Sequence, residues 1–466
     1  MAKIISQETF DEVVKENVVE FSMNVQEAKD ETVKQFEAQG INLANIIKNL
    51  TINEETGNPV LNETIEQLKT ISAGGDVCSS NLPKLLDTLA FECKVSVPHR
   101  VMAAKLGANE TVSHIIHLAL EKREVIDSTV MQSALTAWNE IINKQPDIFN
   151  DKSLFLIIDI FSKNLGDAFT LLCLQHLKNA TLLHEINRQN IMNVGILTCL
   201  KPLLKTENPE VLKETCSLLR YLILDDDVRI EFSKAHEHAK TIAAEVLVEL
   251  TKLLPIKMKD TNVLSELLLT IAALTVRHEF CVQVEEAGGV KFIRDCMKEH
   301  SNSIRVSKET LKVLRALVGN DAVKNNILKD GLAKIIDEII NIHKANELFA
   351  RAALHCLSTV TLRSKENSQL LFEAGAAETI VETMRLHPTS KLVQRNGAWA
   401  IRNMVSRSRE QCPTFLSHGV EDILKQAMDT YPDVQYDLKA ALRDLGCDVK
   451  LNEEWTGIKN KIHIEN

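Results

Sequence analysis

Four phrases in the second half of the chain share one grammar: VEEAGGVKFIRDCM, LKDGLAKIIDEII, LFEAGAAETIVETM and LSHGVEDILKQAM. Their glycines, Gly288, Gly331, Gly375 and Gly419, are spaced 43, 44 and 44 residues apart. Gly195 in IMNVGILTCLKPLL and Gly107 in KLGANETVSHIIHLAL fall on the same beat, two periods apart from their neighbours. The two missing beats fall near Asp151 and Ala239, which makes eight in all. A fixed period of this length is the signature of a repeat array, in which each unit packs only on its neighbours and the chain grows in one dimension. At 466 residues the alternative is several separate cores, because a single core stops growing well before that length.

Each beat predicts three helices. A short helix runs into the glycine, which ends it at a positive φ that side chains resist. A second apolar helix follows at once. A break such as HPTS (387–390) or ENP (207–209) comes next, and a longer amphipathic helix closes the unit. In the unit around Gly375 that last helix starts near Ser390, a candidate cap. Ala398, Ile401 and Val405 form its core stripe, and Ala398 permits close approach by a neighbour. Aromatics make up only 4% of the chain, and Gly plus Pro number 26, so aliphatic helix packing must carry the fold rather than sheet.

The front of the chain differs. Phe10, Val13, Val14, Val18 and Phe21 lie on one face of a helix; Asn24 and Glu27 make a capping box for a second helix, which Gly40 ends. ISAGGDVCSS, from Ile71, reads as a linker. Residues 1–80 hold 6 lysines, no arginine and 14 acidic residues, which accounts for 8 of the chain's 10 net negative charges. The expected organisation is an acidic helical segment and linker (1–80), about eight repeats (81–447) and a C-terminal tail (448–466).

Three helices in about 44 residues, with glycine between the first two, resemble the armadillo repeat. The resemblance covers residues 81–447, and the acidic opening QETFDEVVKENVVEF resembles the start of one branch of that family. It implies an all-α, right-handed α-solenoid whose third helices line a groove.

The sequence nominates no chemistry. His236 and His238 form an HxH pair without a third ligand, read as a solvated turn; His114 and His117 sit one turn apart on a helix surface. Asp225, Asp226 and Asp227 lack the spacing of a calcium loop and read as a solvated connection. No phosphate-binding loop, dinucleotide fingerprint or nucleophile elbow is present. We therefore expect no enzymatic activity, no cofactor and no metal. The net charge of −10 argues against nucleic acid, and no apolar run is long enough for a membrane. Ten scattered cysteines without a CxxC pair fit a reducing compartment. A cytoplasmic or nucleocytoplasmic monomer with protein partners is the resulting expectation.

One stretch stands out as a candidate binding surface. Lys391, Arg395, Trp399 and Asn403 recur every four residues, flanked by Arg402, on the face opposite the core stripe. From Arg385 to Arg409 there are six basic residues and no acidic one. Trp399 with Asn403 is similar to the Trp–Asn pair of importin-α-like armadillo proteins, where the amide holds a peptide backbone. The pair is not repeated, however: His355, Lys312 and Leu269 match Trp399, and Thr359, Ala316 and Ala273 match Asn403. The groove is thus expected to take an extended acidic or phosphorylated segment of a partner. The acidic residues 1–80 are one candidate occupant. A nuclear import adaptor and an Hsp70-type co-chaperone of armadillo fold are the alternatives.

Overall fold

The computed structural model describes residues 3–53, 56, 58–75, 77–121 and 127–449. Among them the chain is all α, with two isolated bridges and no strand. Contacts divide it into two compact units, residues up to Ala239 and residues from Lys240. Each is an α-solenoid of armadillo type.

In the first unit, Gln7–Glu20 and Val25–Ala38 form a hairpin around Phe10, Phe36, Leu43 and Ile46. The Asn24–Glu27 capping box is present, and Gly40 turns at φ 72°. Phe21 departs from expectation. It is the C-cap residue, just past the end of its helix, and is exposed. The segment read as a linker begins as helix: Val60–Gly74 runs through Ile71 and packs on Leu82–Val95 and Ala108–Glu121. Leu61, Ile65 and Leu68 are buried there, and this apolar face outweighs the small residues that follow it. The third helices Leu82–Val95, Ser128–Ile142, Asp167–Thr181 and Pro209–Tyr221 then stack in order.

In the second unit the third helices Thr261–Leu274, Ile304–Leu317, Glu347–Thr361, Lys391–Val405 and Gln435–Leu445 stack in order. The six beat glycines all turn at positive φ, from 77° at Gly195 to 102° at Gly375. A side-chain staple repeats alongside them. His300, His343 and His387 each place Nε2 against a backbone carbonyl of the preceding repeat (Met258, Ser301 and Lys344) at 2.9, 2.6 and 2.7 Å. A carbonyl only accepts, so each ring carries its proton on Nε2. Tyr431 takes over the role in the last repeat, donating to the Pro388 carbonyl at 3.2 Å.

The two degenerate beats have separate causes. Near Asp151 the first helix shrinks to a 3-10 turn, Pro146–Ile148, and Asn150 caps the next helix. Near Ala239 the helix Ala235–Leu253 runs straight through, and a loop replaces the short helix. That loop is not the solvated connection expected of three aspartates. Asp226 accepts from the fully buried Arg188 at 2.6 Å, and the buried Asp227 accepts from Arg229 Nε at 2.8 Å and from the Glu185 amide at 2.9 Å. The Arg229 guanidinium, with these amides, holds the Asp227 carboxyl far below the usual carboxylate range. Ion pairs fix the connection where a glycine turn is missing. His238 likewise departs from the reading of a solvated turn: it is buried on the helix, with Nδ1 3.1 Å from the Leu222 carbonyl.

Candidate functional site

The helix Lys391–Val405 carries all five residues singled out by the sequence. Ala398, Ile401 and Val405 are fully buried, while Lys391 is exposed and Arg395, Trp399, Arg402 and Asn403 are half-buried. Ser390 stands at the N-cap position, but its hydroxyl makes no capping bond and donates to Glu347 Oε1 at 2.7 Å instead. Within the repeat the tightest approach at a glycine is at Gly397, where a Cβ would stand 2.4 Å from Met384 Sδ.

The five residues separate into three roles. Lys391 at one end is paired with Asp433 at 2.6 Å, and Arg402 at the other with Asp444 at 3.2 Å. Asn403 is occupied by the fold itself: its amide nitrogen donates to the Ser358 carbonyl of the preceding third helix at 2.7 Å. Asn396, one face over, does the same to the Arg351 carbonyl at 3.0 Å. Arg395 and Trp399 remain as the open pair. The Arg395 guanidinium lies 4.6 Å from the Trp399 ring centre, a cation–π contact, and Arg395 Nε is buried without an acceptor. Trp399 is half-buried, with its ring 6.2 Å from that of His355.

A cavity of about 350 Å³ opens beside this pair, across the Ile304–Leu317, Glu347–Thr361 and Lys391–Val405 helices. Lys308, Lys312, Arg315, Arg351, His355 and Arg395 line it, over an apolar floor of Leu311, Leu348, Ala352 and Leu392. Five of these are permanent cations. Lys308 and Lys312 share one carboxylate, Glu309, at 3.6 and 2.8 Å. Arg351 and Arg395 have no carboxylate within salt-bridge distance among the described residues. Arg315 lies 2.8 Å from His355 Nδ1; a guanidinium only donates, so Nδ1 accepts and the ring is neutral. Burial, then Arg315 and Arg395, push the His355 imidazolium below its ordinary range.

Sequence reading missed the residues on the two earlier helices, although the signal was present. Lys308, Arg351 and Arg395 are separated by 43 and 44 residues, the repeat spacing itself. What repeats down the ladder is charge, not Trp and Asn. The acidic N-terminal segment also changes standing as an occupant: residues 7–20 and 25–38 are spent in a helical hairpin with its own core, not in an extended strand. The tail beyond residue 449 lies outside the described residues. Among the described residues no group of His, Cys, Asp and Glu is placed to hold a metal, and no helix is long and apolar enough to cross a membrane.

Comparison with known proteins agrees with this architecture. The ARMC6 family model matches residues 61–463, and the Armadillo repeat-containing protein 6 N-terminal domain matches residues 2–62. An Armadillo repeat-containing protein 6 homolog of Drosophila melanogaster is 53% identical over 462 residues, covering 99% of both chains. The Homo sapiens Armadillo repeat-containing protein 6 is 39% identical over 482 residues, covering 99% of this chain and 94% of its own. Among solved structures, an engineered protein superimposes with a TM-score of 0.62 at 16% identity, covering 84% of this chain and all of its own. A chain from a structure concerning a phosphorylation switch that controls the interaction between cadherin and β-catenin gives 0.55 at 17% identity, covering 77% of this chain and 69% of its own. At such identities the likeness concerns the fold. The two family models together span nearly the whole sequence, acidic hairpin and repeats alike, and the chain belongs to the armadillo repeat-containing protein 6 family.

Proposed function

We propose that this protein is a non-enzymatic interaction scaffold of the cytoplasm, monomeric by itself, that holds an extended acidic segment of a protein partner. The segment lies on the third-helix ladder of the second unit. The observation that carries this reading is the column Lys308, Arg351, Arg395, one cation per repeat, with two of the three lacking a carboxylate within salt-bridge distance among the described residues. Arginine forks meet carboxylates in pairs, and a backbone threading past Trp399 finds a flat apolar face. Lys391 and Arg402 exchange their intramolecular carboxylates only at the ends of the site. A nuclear import adaptor would have to bind a basic signal, which these five cations repel. The same charge makes nucleic acid the rival anion, and an extended groove with an apolar floor favours a peptide over a duplex.

The test is affinity purification of the wild-type chain beside an Arg351→Glu/Arg395→Glu variant, with captured proteins identified by mass spectrometry. Partners lost from the variant should be recovered on a charge-swapped (basic) version of their own acidic segment. An unchanged partner set at low salt would sink the reading, since interactions of this kind weaken as ionic strength rises.

A further inference from the structure

Resting on that reading, we propose that the recess between Lys308, Arg351 and Arg395 is a phosphate site: it takes a phosphoserine or phosphothreonine on the partner segment. The cations are more than a carboxylate can use. Five line one cavity, and the one carboxylate within salt-bridge distance of any of them among the described residues, Glu309, is itself buried and shared by two lysines. A phosphomonoester brings close to two negative charges at neutral pH and three strong acceptor oxygens, which can engage guanidinium groups from separate helices at once. Arg395 is already placed to donate. The Trp399 ring holds its guanidinium, and its buried Nε lacks an acceptor. A donor left in that state is a standing cost that a ligand oxygen removes. Arg315 is similarly held, with one N–H spent on His355 and no carboxylate within salt-bridge distance among the described residues.

The geometry also says what the phosphate is attached to. Packed helices stand about 8–10 Å apart, and an extended chain advances about 3.3 Å per residue, so two or three residues carry a chain from one cation of the column to the next. Leu348 and Leu392, each three residues before an arginine of the column, are exposed and half-buried and offer apolar seats to the intervening side chains. A small free phosphate uses none of these.

The experiment measures fluorescence anisotropy of a labelled Gly/Asp peptide with one central serine, mixed with the full-length chain. Three forms are compared at one ionic strength: phosphoserine, serine and glutamate at the central position. Phosphoserine should bind about tenfold or more tightly than serine, and several-fold more tightly than glutamate. Arg351→Gln and, separately, Lys308→Gln should erase that preference without shifting the melting temperature; Lys308→Gln guards against any disturbance of the stacked Arg395. If glutamate equals phosphoserine, the site reads charge alone: the phosphate proposal falls and the acidic-segment reading stands. If no form binds, the acidic-segment reading falls with it. A phosphoserine preference that survives both variants places the phosphate elsewhere and also overturns the proposal. So does binding to phosphoinositide vesicles without binding to the phosphopeptide.

Discussion

The side-chain amide of Asn403 donates to the main-chain carbonyl of Ser358 at 2.7 Å, tying one third helix to the next. The residue that most resembles a peptide clamp in sequence therefore clamps its own fold. Removing it leaves the Ser358 carbonyl with the longer bond from the Thr361 hydroxyl at 3.4 Å, a loss of about 0.5–1.5 kcal/mol for one hydrogen bond. Asn403→Ala should accordingly lower the denaturation midpoint of the second unit while leaving affinity for an acidic peptide within about twofold, a small fraction of one hydrogen bond. Chemical denaturation and peptide titration on the same preparation separate the two effects. A variant of full stability that has lost binding would restore Asn403 to the binding surface.

Trp399 should behave in the opposite way. It is half-buried and rests against Arg395 and His355 rather than in the core. Trp399→Ala removes a cation–π contact worth about 0.5–2 kcal/mol and frees the Arg395 guanidinium to wander. Peptide affinity should fall by roughly threefold to thirtyfold while the unfolding transition stays cooperative. Loss of that transition would make Trp399 a packing residue. Arg402→Glu is a poor companion variant, because it would set a second carboxylate against Asp444, which Arg402 now faces at 3.2 Å.

Periodicity made the repeats legible because a C-terminal glycine and an apolar second helix are local requirements, written within a few residues of each other. All six beat glycines adopt the positive φ that their place demanded. The degenerate beats were harder to read, since their solution is not local: Arg188 reaches across to Asp226, 38 residues away, to stand in for a missing helix. The same limit applies to the site. The helical stripe through Trp399 was legible from spacing on one helix, but whether Asn403 or Arg395 is free depends on partners 45 residues off in another repeat. The column Lys308, Arg351, Arg395 needed only the repeat alignment and a test for charge.

His355 gives the site a pH dependence whose sign follows from its neighbours. Its ring is neutral because burial, Arg315 and Arg395 disfavour the cation; Arg351 on its own helix and Lys312 on the preceding one add positive charge to the same cavity. A bound carboxylate offsets that repulsion and raises the His355 pKa, so binding takes up protons. Affinity for the unphosphorylated Gly/Asp peptide should thus rise roughly twofold to tenfold from about pH 7.5 to about pH 5.5, a range in which aspartates stay ionised. His355→Gln should flatten the profile. A flat wild-type profile, or one that slopes equally in the variant, would remove His355 from the binding event.

The first unit carries a separate acid sensitivity in its core. His176 is stacked on Trp138 with ring centres 3.8 Å apart, fully buried, and neither ring nitrogen has a hydrogen-bond partner. Burial alone pushes its pKa down to about 3. The unfolded chain returns the ring to about 6.5, so below that pH the unfolded state binds a proton that the folded state refuses. Stability is therefore intact above about pH 6.5 and is lost as pH falls, by roughly 2–3 kcal/mol at about pH 4.5. His176→Phe keeps the stack on Trp138 and cannot titrate. Its unfolding midpoint should match wild type near neutral pH to within about 1 kcal/mol, as for a volume-conserving swap, and exceed it increasingly below about pH 6. Parallel acid profiles for the two proteins would mean that His176 is charged or hydrogen-bonded in the folded state, contrary to its place beside Trp138.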